Sequence, residues 1–392
     1  MSVTSFYNPV RLLMGEGCLS QLGEQAASWG RRALLVTGRS ALQAAGHLQR
    51  AQELLTNAGL EVIRWEGARP NPTDAGVLAA AAVAREADCD LVVGLGGGSA
   101  MDTAKAAAVA ATHDRPLADF LLPGPDGRKA VPTAATLPII CVTSTAGTSS
   151  QLTPFSIISL ERERVKSSLG GDALYPRVAI SDPELTYSVP PRVTAATGVD
   201  VLCHAVEAYY STGASPITDA TGERAVELVG RYLARAVADG QDREARRALS
   251  EADVFAGFPL SNCGGTVIHA LEHPLSAHYP DLPHGEGLAA MLPAYARRFS
   301  TQAPERFARL AELLGAPVAG LSPAQAAARL APALEDLLER VGLRVSLTDL
   351  GVAAEALEAV VQDALRYNQG TLARMPVPVG EAELRALLEE SR

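Results

Sequence analysis

Residues 90–105 read D-L-V-V-G-L-G-G-G-S-A-M-D-T-A-K, a buried strand that runs through a triple glycine into a helix. This stretch constrains the chain more than any other. A strand handed to a helix through Gly96-Gly97-Gly98 imposes a strand–helix layer and gathers free backbone N–H groups at the helix start. Those groups attract phosphate, and residues without side chains let a ligand come close. Ser99 reads as the helix cap, with Asp102 three residues on at capping-box spacing. The pattern is not G-x-G-x-x-G, so the common dinucleotide fingerprint does not apply. A tight turn with no ligand is the plain alternative.

The same alternation continues on both sides. Ala33–Thr37, Glu61–Arg64, Asp90–Leu95, Pro138–Val142 and Val178–Ser181 read as strands, with helices between them, one including Leu48 to Ala58. Such alternation implies a largely parallel sheet covered by helices on both faces. Directly after Pro138–Val142, the run T-S-T-A-G-T-S-S (143–150) offers short hydroxyls and a glycine that suit a pyrophosphate or a ribose. Ser/Thr loops are common and usually just solvated. Two such loops at the ends of neighbouring strands strengthen each other. From about Pro191 onward the segments are helical, broken by Gly, Pro and Ser. A chain of 392 residues exceeds one ordinary core, so an α/β domain over 1–185 and a helical domain over 186–392 are expected.

Composition narrows the function. With 47% hydrophobic and 20% charged residues, the chain reads as a soluble globular protein. Its net charge of −10 is spread along the length with no basic stripe, which argues against nucleic acid. No apolar run is long enough for a bilayer, and Met1–Tyr7 lacks a signal-peptide pattern. Five scattered cysteines without a C-x-x-C pair disfavour a disulfide framework or a thiolate zinc site and fit a reducing cytoplasm.

Five of the seven histidines fall between residues 204 and 284. Asp200 and His204 are four apart, as are His269 and His273, so each pair shares a helix face. A Pro/Gly-rich turn then brings His284 round. Three imidazoles and a carboxylate make a credible shell for Fe²⁺ or Zn²⁺. Spacing alone leaves open which four bind, because Asp200, His204, His269, His273, His278 and His284 are all chemically able. A single histidine is more often a core or surface residue; the set, at helix periods in apolar surroundings, is not.

Over essentially its full length the chain resembles the iron-containing (group III) alcohol dehydrogenases. The family's G-G-G-S-x-x-D-x-A-K element is Gly96 to Lys105, and T-T-x-A-G-T-G-S-E appears as Thr143 to Gln151 with substitutions at the end. D-P-x-L is Asp182 to Leu185. The metal pattern D-x-x-x-H, H-x-x-x-H and P-H-G matches Asp200, His204, His269, His273 and Pro283-His284-Gly285. The resemblance implies a Rossmann-like parallel-sheet domain followed by a helical domain, the dehydroquinate synthase-like fold. It implies that Asp200, His204, His269 and His284 hold the metal, Fe²⁺ first, with Zn²⁺ or Ni²⁺ able to replace it. His273 would be the catalytic proton relay. Gly97, Gly98 and Ser99 would hold the cofactor pyrophosphate, with Asp102, Thr143, Ser144 and Thr148 beside it and Lys166 nearby.

The implied activity is an NAD(P)-linked alcohol dehydrogenase or aldehyde reductase, cytoplasmic and homodimeric. The metal would act as a Lewis acid on the substrate oxygen and the nicotinamide would carry hydride. A dehydroquinate synthase-like cyclase shares the fold but favours a glutamate and two histidines. A maleylacetate reductase commonly works without metal. A non-catalytic, metal-stabilised binding protein would turn over no cofactor. His269 and His284 lie fifteen apart, one more than in typical members, and Asn368-Gln369-Gly370 stands where N-P-R is frequent. The latter bears on substrate, and a small aldehyde is expected; an anionic one such as phosphonoacetaldehyde is compatible, as are lactaldehyde, butanal or a diol. The substrate pocket is expected to involve Phe258–Asn262, Thr148 and the region of Tyr367-Asn368. Gly38 falls where relatives that prefer NAD often carry an aspartate. With that charge gone and Arg39 and Ser40 following, NADPH is favoured over NADH.

Overall fold

The computed structural model describes residues 4–38 and 41–392. Six parallel strands form one sheet: β1 (Arg11–Met14), β2 (Arg32–Thr37), β3 (Glu61–Trp65), β4 (Leu91–Gly96), β5 (Ile139–Thr143) and, last in the chain, β8 (Val178–Ser181). Their order is β1-β8-β5-β4-β2-β3. Helices α1 (His47–Asn57), α2 (Asp74–Glu86) and α3 (Gly98–Ala110) lie among the connections. Because side chains alternate across a strand, Leu34 and Val36 of β2 enter one core with Val92, Met101, Val109 and Phe120, while Leu35 enters the other with Leu55, Val93, Ile140 and Ile180. Both faces are buried, which is why β4 and β5 read as continuous apolar runs. The alanines of α3 allow close packing: a Cβ on Gly94 would come 2.9 Å from that of Ala104.

Three features depart from the expectation. β1 is a four-residue edge strand, too short for a periodic signal. β6 (Phe155–Leu160) and β7 (Val165–Gly170) form an antiparallel hairpin, joined by the charged turn E-R-E-R. Lastly, α3 is capped at Gly97 rather than Ser99, with no side-chain cap bond. Gly97 adopts the extended cap backbone, so the helix starts two residues early and the Asp102 carboxylate serves elsewhere.

Among the described residues no strand follows β8. Instead come α4 (Pro191–Tyr209), α5 (Pro216–Ala238), α6 (Arg243–Cys263), α7 (Val267–His278), α8 (His284–Phe299) and α9 (Leu357–Tyr367), with shorter helices. None of the described helices is long and apolar enough to cross a membrane. The chain divides into two compact units, Asn8–Ser188 and Val189–Arg392, the second joined by the described residues up to Tyr7. Residues just past β8 stay with the sheet because Asp182 caps the turn Pro183–Thr186 and also accepts from the N–H of Gly17 at 3.1 Å and Leu19 at 3.0 Å. Within the helical unit, buried Arg246 of α6 secures the start of α4, donating to the Thr194 hydroxyl at 2.7 Å and the Val189 carbonyl at 2.9 Å.

Candidate metal centre and nucleotide loops

Three of the proposed ligands converge on one atom of the fourth, Asp200 Oδ1, and Asp200, His269 and His284 offer ligand atoms that all lie within 4.8 Å of one another. His204 Nε2 lies 3.3 Å from it, His269 Nε2 3.4 Å and His284 Nε2 3.7 Å. Asp200 and His204 come from one face of α4, His269 from the first turn of α7 and His284 from the head of α8. The rings of His204 and His269 stack at 4.7 Å, and Asp200, His204 and His269 are buried. Asp200 Oδ1 and His269 Nε2 are both buried without a hydrogen-bond partner among the described residues. Leaving such atoms uncompensated is costly, whereas a divalent cation among them satisfies both. Three imidazoles and one carboxylate are the donors that Fe²⁺ and Zn²⁺ take, so the residues present fit the implied metal.

Burial works against the Asp200 anion, yet His204 first, then His269 and His284, hold its pKa below the usual carboxylate range. Burial likewise disfavours a charged His269, but Glu207 and Asp200 push it up to about 10. His273 stands beside the cluster, its ring 6.0 Å from that of His284 and 6.2 Å from that of His269. His278 is turned elsewhere, to Asp363 at 2.8 Å. Two further carboxylates stand behind the histidines: Glu207 contacts His269 Nδ1, and Glu272 contacts His284 Nδ1. Sequence reading missed both. The signal was spacing, since Glu207 is three residues after His204 and Glu272 three after His269.

In the α/β unit the two loops touch. β4 and β5 pair in register up to Gly96↔Thr143, and the N–H of Ser144 donates to the Gly96 carbonyl at 2.9 Å. Gly96 has φ +152°, open to glycine. A Cβ on Gly97 would meet Thr145 Oγ1 at 3.1 Å, and one on Gly98 would meet Thr148 Cγ2 at 2.4 Å. Thr143 Oγ1 donates to the Thr145 carbonyl at 2.7 Å. Asp102 accepts from the Ser150 hydroxyl at 2.6 Å and the Ile157 N–H at 2.9 Å, so both its oxygens are engaged by the protein. Lys105, fully buried, donates to the carbonyls of Ser150, Thr153 and Phe155 at 2.6, 2.9 and 2.9 Å. Burial raises the Asp102 pKa and lowers that of Lys105. The α3 helix thus staples the second loop beside the glycines. Lys166 of β7 donates to Asn71 Oδ1 at 3.1 Å. Gly38 directly follows β2; Arg39 and Ser40 lie outside the described residues.

Residues 9–183 match the family described as "Iron-containing alcohol dehydrogenase", and residues 194–392 match "Fe-containing alcohol dehydrogenase family, C-terminal". The chain belongs to the iron-containing alcohol dehydrogenase family. It is an oxidoreductase of the alcohol dehydrogenase type. Long-chain-alcohol dehydrogenase 1 of Geobacillus thermodenitrificans is 38% identical, over 99% of this chain and 97% of that one. An archaeal halo-thermophilic alcohol dehydrogenase from a Red Sea brine pool, solved with NZQ bound, superposes with a TM-score of 0.95 at 35% identity, covering 100% of both chains. Another family structure, the sulfoacetaldehyde reductase of Bifidobacterium kashiwanohense in complex with NAD⁺, gives a TM-score of 0.86 at 32% identity, covering 99% of this chain and 98% of that one.

Proposed function

We propose that this iron-containing alcohol dehydrogenase family member is a metal-dependent NAD(P)-linked aldehyde reductase and alcohol dehydrogenase, working on a small substrate in the cytoplasm as a homodimer. One observation carries the reading: three imidazole nitrogens lie within 3.7 Å of Asp200 Oδ1. Asp200, His204, His269 and His284 would hold Fe²⁺, with Zn²⁺ or Ni²⁺ as substitutes. When bound, the metal supplies Lewis acidity at the substrate oxygen and the nicotinamide supplies or takes the hydride.

The chain's own groups do the rest. N–H groups at the head of α3, around Gly97, Gly98 and Ser99, bind the pyrophosphate, and the hydroxyls of Thr143, Ser144 and Thr148 border it. Asp102 holds the second loop in place, and Lys166 lies close to the nucleotide. His273, next to the metal ligands but outside them, moves the proton between substrate oxygen and solvent. A small aldehyde is the substrate class; an anionic one such as phosphonoacetaldehyde is supported by likeness to a reductase of sulfoacetaldehyde, and lactaldehyde, butanal or a diol fit the same chemistry. Metal analysis and an aldehyde screen against both reduced nicotinamides test the reading. About one divalent metal per chain is expected. Full turnover after exhaustive chelation would refute the metal's role.

A further inference from the structure

Both oxygens of Glu207 are committed at the start of α7. Oε1 accepts from the N–H of Ile268 at 2.7 Å, the N–H of Thr266 at 3.1 Å and the Thr266 hydroxyl at 2.8 Å. Thr266, the cap residue, makes no side-chain cap bond of its own. A carboxylate from another helix therefore caps α7, where it also meets the positive end of the helix dipole. Its second oxygen faces Nδ1 of His269. Glu272 repeats half of this arrangement: one oxygen faces Nδ1 of His284, and the other accepts from the Ser276 hydroxyl. Both glutamates are fully buried.

We propose that Glu207 and Glu272 are positioning residues that fix His269 and His284 with the proton on Nδ1, leaving each Nε2 lone pair directed at the metal. This rests on the metal-site reading above. The physical reason is the donor count. An imidazole that ligates a metal is neutral and keeps one N–H, and an ionised carboxylate only accepts, so the nitrogen facing it must be the donor. Nε2 is then the acceptor, and it is the atom that lies toward Asp200 in both rings. Because the same carboxylate caps α7, forming the first turn of that helix and orienting His269 become one event.

Glu207→Gln and Glu272→Gln test this in zinc-loaded protein. The side-chain shape is kept. The amide oxygen can still accept from Ile268 or from Ser276, but the amide NH₂ turned to the ring then opposes a proton on Nδ1. Zinc release into excess chelator is expected to quicken by about 10–100-fold in each variant. In ¹⁵N-histidine-labelled protein, the wild type should show two strongly downfield Nδ1–H protons, and each variant should lose or shift one. A purely structural role would leave both downfield protons and the zinc release rate unaltered while lowering the melting temperature. Wild-type release rates with both downfield protons retained overturn the proposal. A wild type that takes up no zinc, iron or nickel overturns the metal reading itself. Should Glu207→Gln fail to fold, Glu272→Gln decides, because the Glu272 oxygens face the His284 ring and the Ser276 hydroxyl rather than the start of α7.

Discussion

Asn368 donates its side-chain amide to the carbonyl of Ala270 at 3.0 Å. That carbonyl lacks the usual helical donor because the residue four further on is Pro274, which carries no N–H. The proline follows His273 directly, so the Asn368 amide repairs α7 where the proposed relay sits. Asn368→Leu should cost about 1–3 kcal/mol, the usual penalty for orphaning a buried acceptor. In a Pro274→Ala background the restored N–H can take up Ala270, and the cost should fall by more than half. Urea denaturation of the four proteins reads the cycle. Equal costs in both backgrounds would show that the two residues are not coupled.

The sheet strands were legible because β2, β4, β5 and β8 are apolar runs set between turn signals, and the sequence pattern reports burial on both faces. The histidine cluster was legible because three of its four residues sit one helical turn from another chemically able group. β1 and the β6–β7 hairpin were not, being short or rich in serine and charge, with pairing partners far along the chain. The staple made by Lys105 and Asp102 escaped for a different reason. Its partners are mostly backbone groups of residues 150–157, and no side-chain pattern announces a carbonyl.

That staple can be tested apart from the metal. Lys105→Met would leave the carbonyls of Ser150, Thr153 and Phe155 without their donor in a buried site. Each orphan costs about 1–3 kcal/mol before relaxation. Gly98→Ala places a methyl within 2.4 Å of Thr148 Cγ2 and must push the second loop away. Nucleotide affinity, followed by NADH fluorescence, should weaken at least about tenfold in Gly98→Ala, equivalent to about 1.4 kcal/mol. Metal content should stay unchanged. Unaltered nucleotide affinity would separate the glycine turn from cofactor binding.

Lys129 supplies a pH handle within the α/β unit. It donates to the Ser167 hydroxyl at 2.8 Å and the Ser168 carbonyl at 3.0 Å, and burial pushes its pKa down to about 8 from 10.5. Between those two values the unfolded chain binds more protons than the folded one, so this group makes stability rise with pH there. Below about 8 its charge costs most. The melting-temperature difference, wild type minus Lys129→Met, should therefore grow in favour of wild type from pH 7 to pH 10. A difference that is flat with pH would mean the amine is solvated in the fold.

His273→Ala separates relay from ligand. The ring stands 6.0 Å from that of His284 and makes no part of the convergence on Asp200. The variant should keep its metal and lose about 10²–10⁴-fold in turnover, the usual contribution of a positioned acid–base group. Loss of metal instead would exchange the roles of His273 and one of the proposed ligands.

We propose that Gly38 bears on the choice of nicotinamide. It follows the last residue of β2, Thr37, and among the described residues an added Cβ would meet the Ala68 carbonyl at an ordinary 3.6 Å. A Cβ is therefore accommodated there among the described residues, which makes Gly38→Asp the substitution to test. A carboxylate at the end of this strand can accept a ribose 2′-hydroxyl and repels a 2′-phosphate. The native chain lacks that repulsion, so wild type should accept NADPH and prefer it modestly, whereas Gly38→Asp should shift preference toward NADH by about tenfold or more. Comparing kcat/KM for both nucleotides in the two proteins measures the shift as a free energy of about 1.4 kcal/mol per decade. A wild type that strongly prefers NADH, with a preference the aspartate leaves unchanged, would show that this turn does not read the ribose.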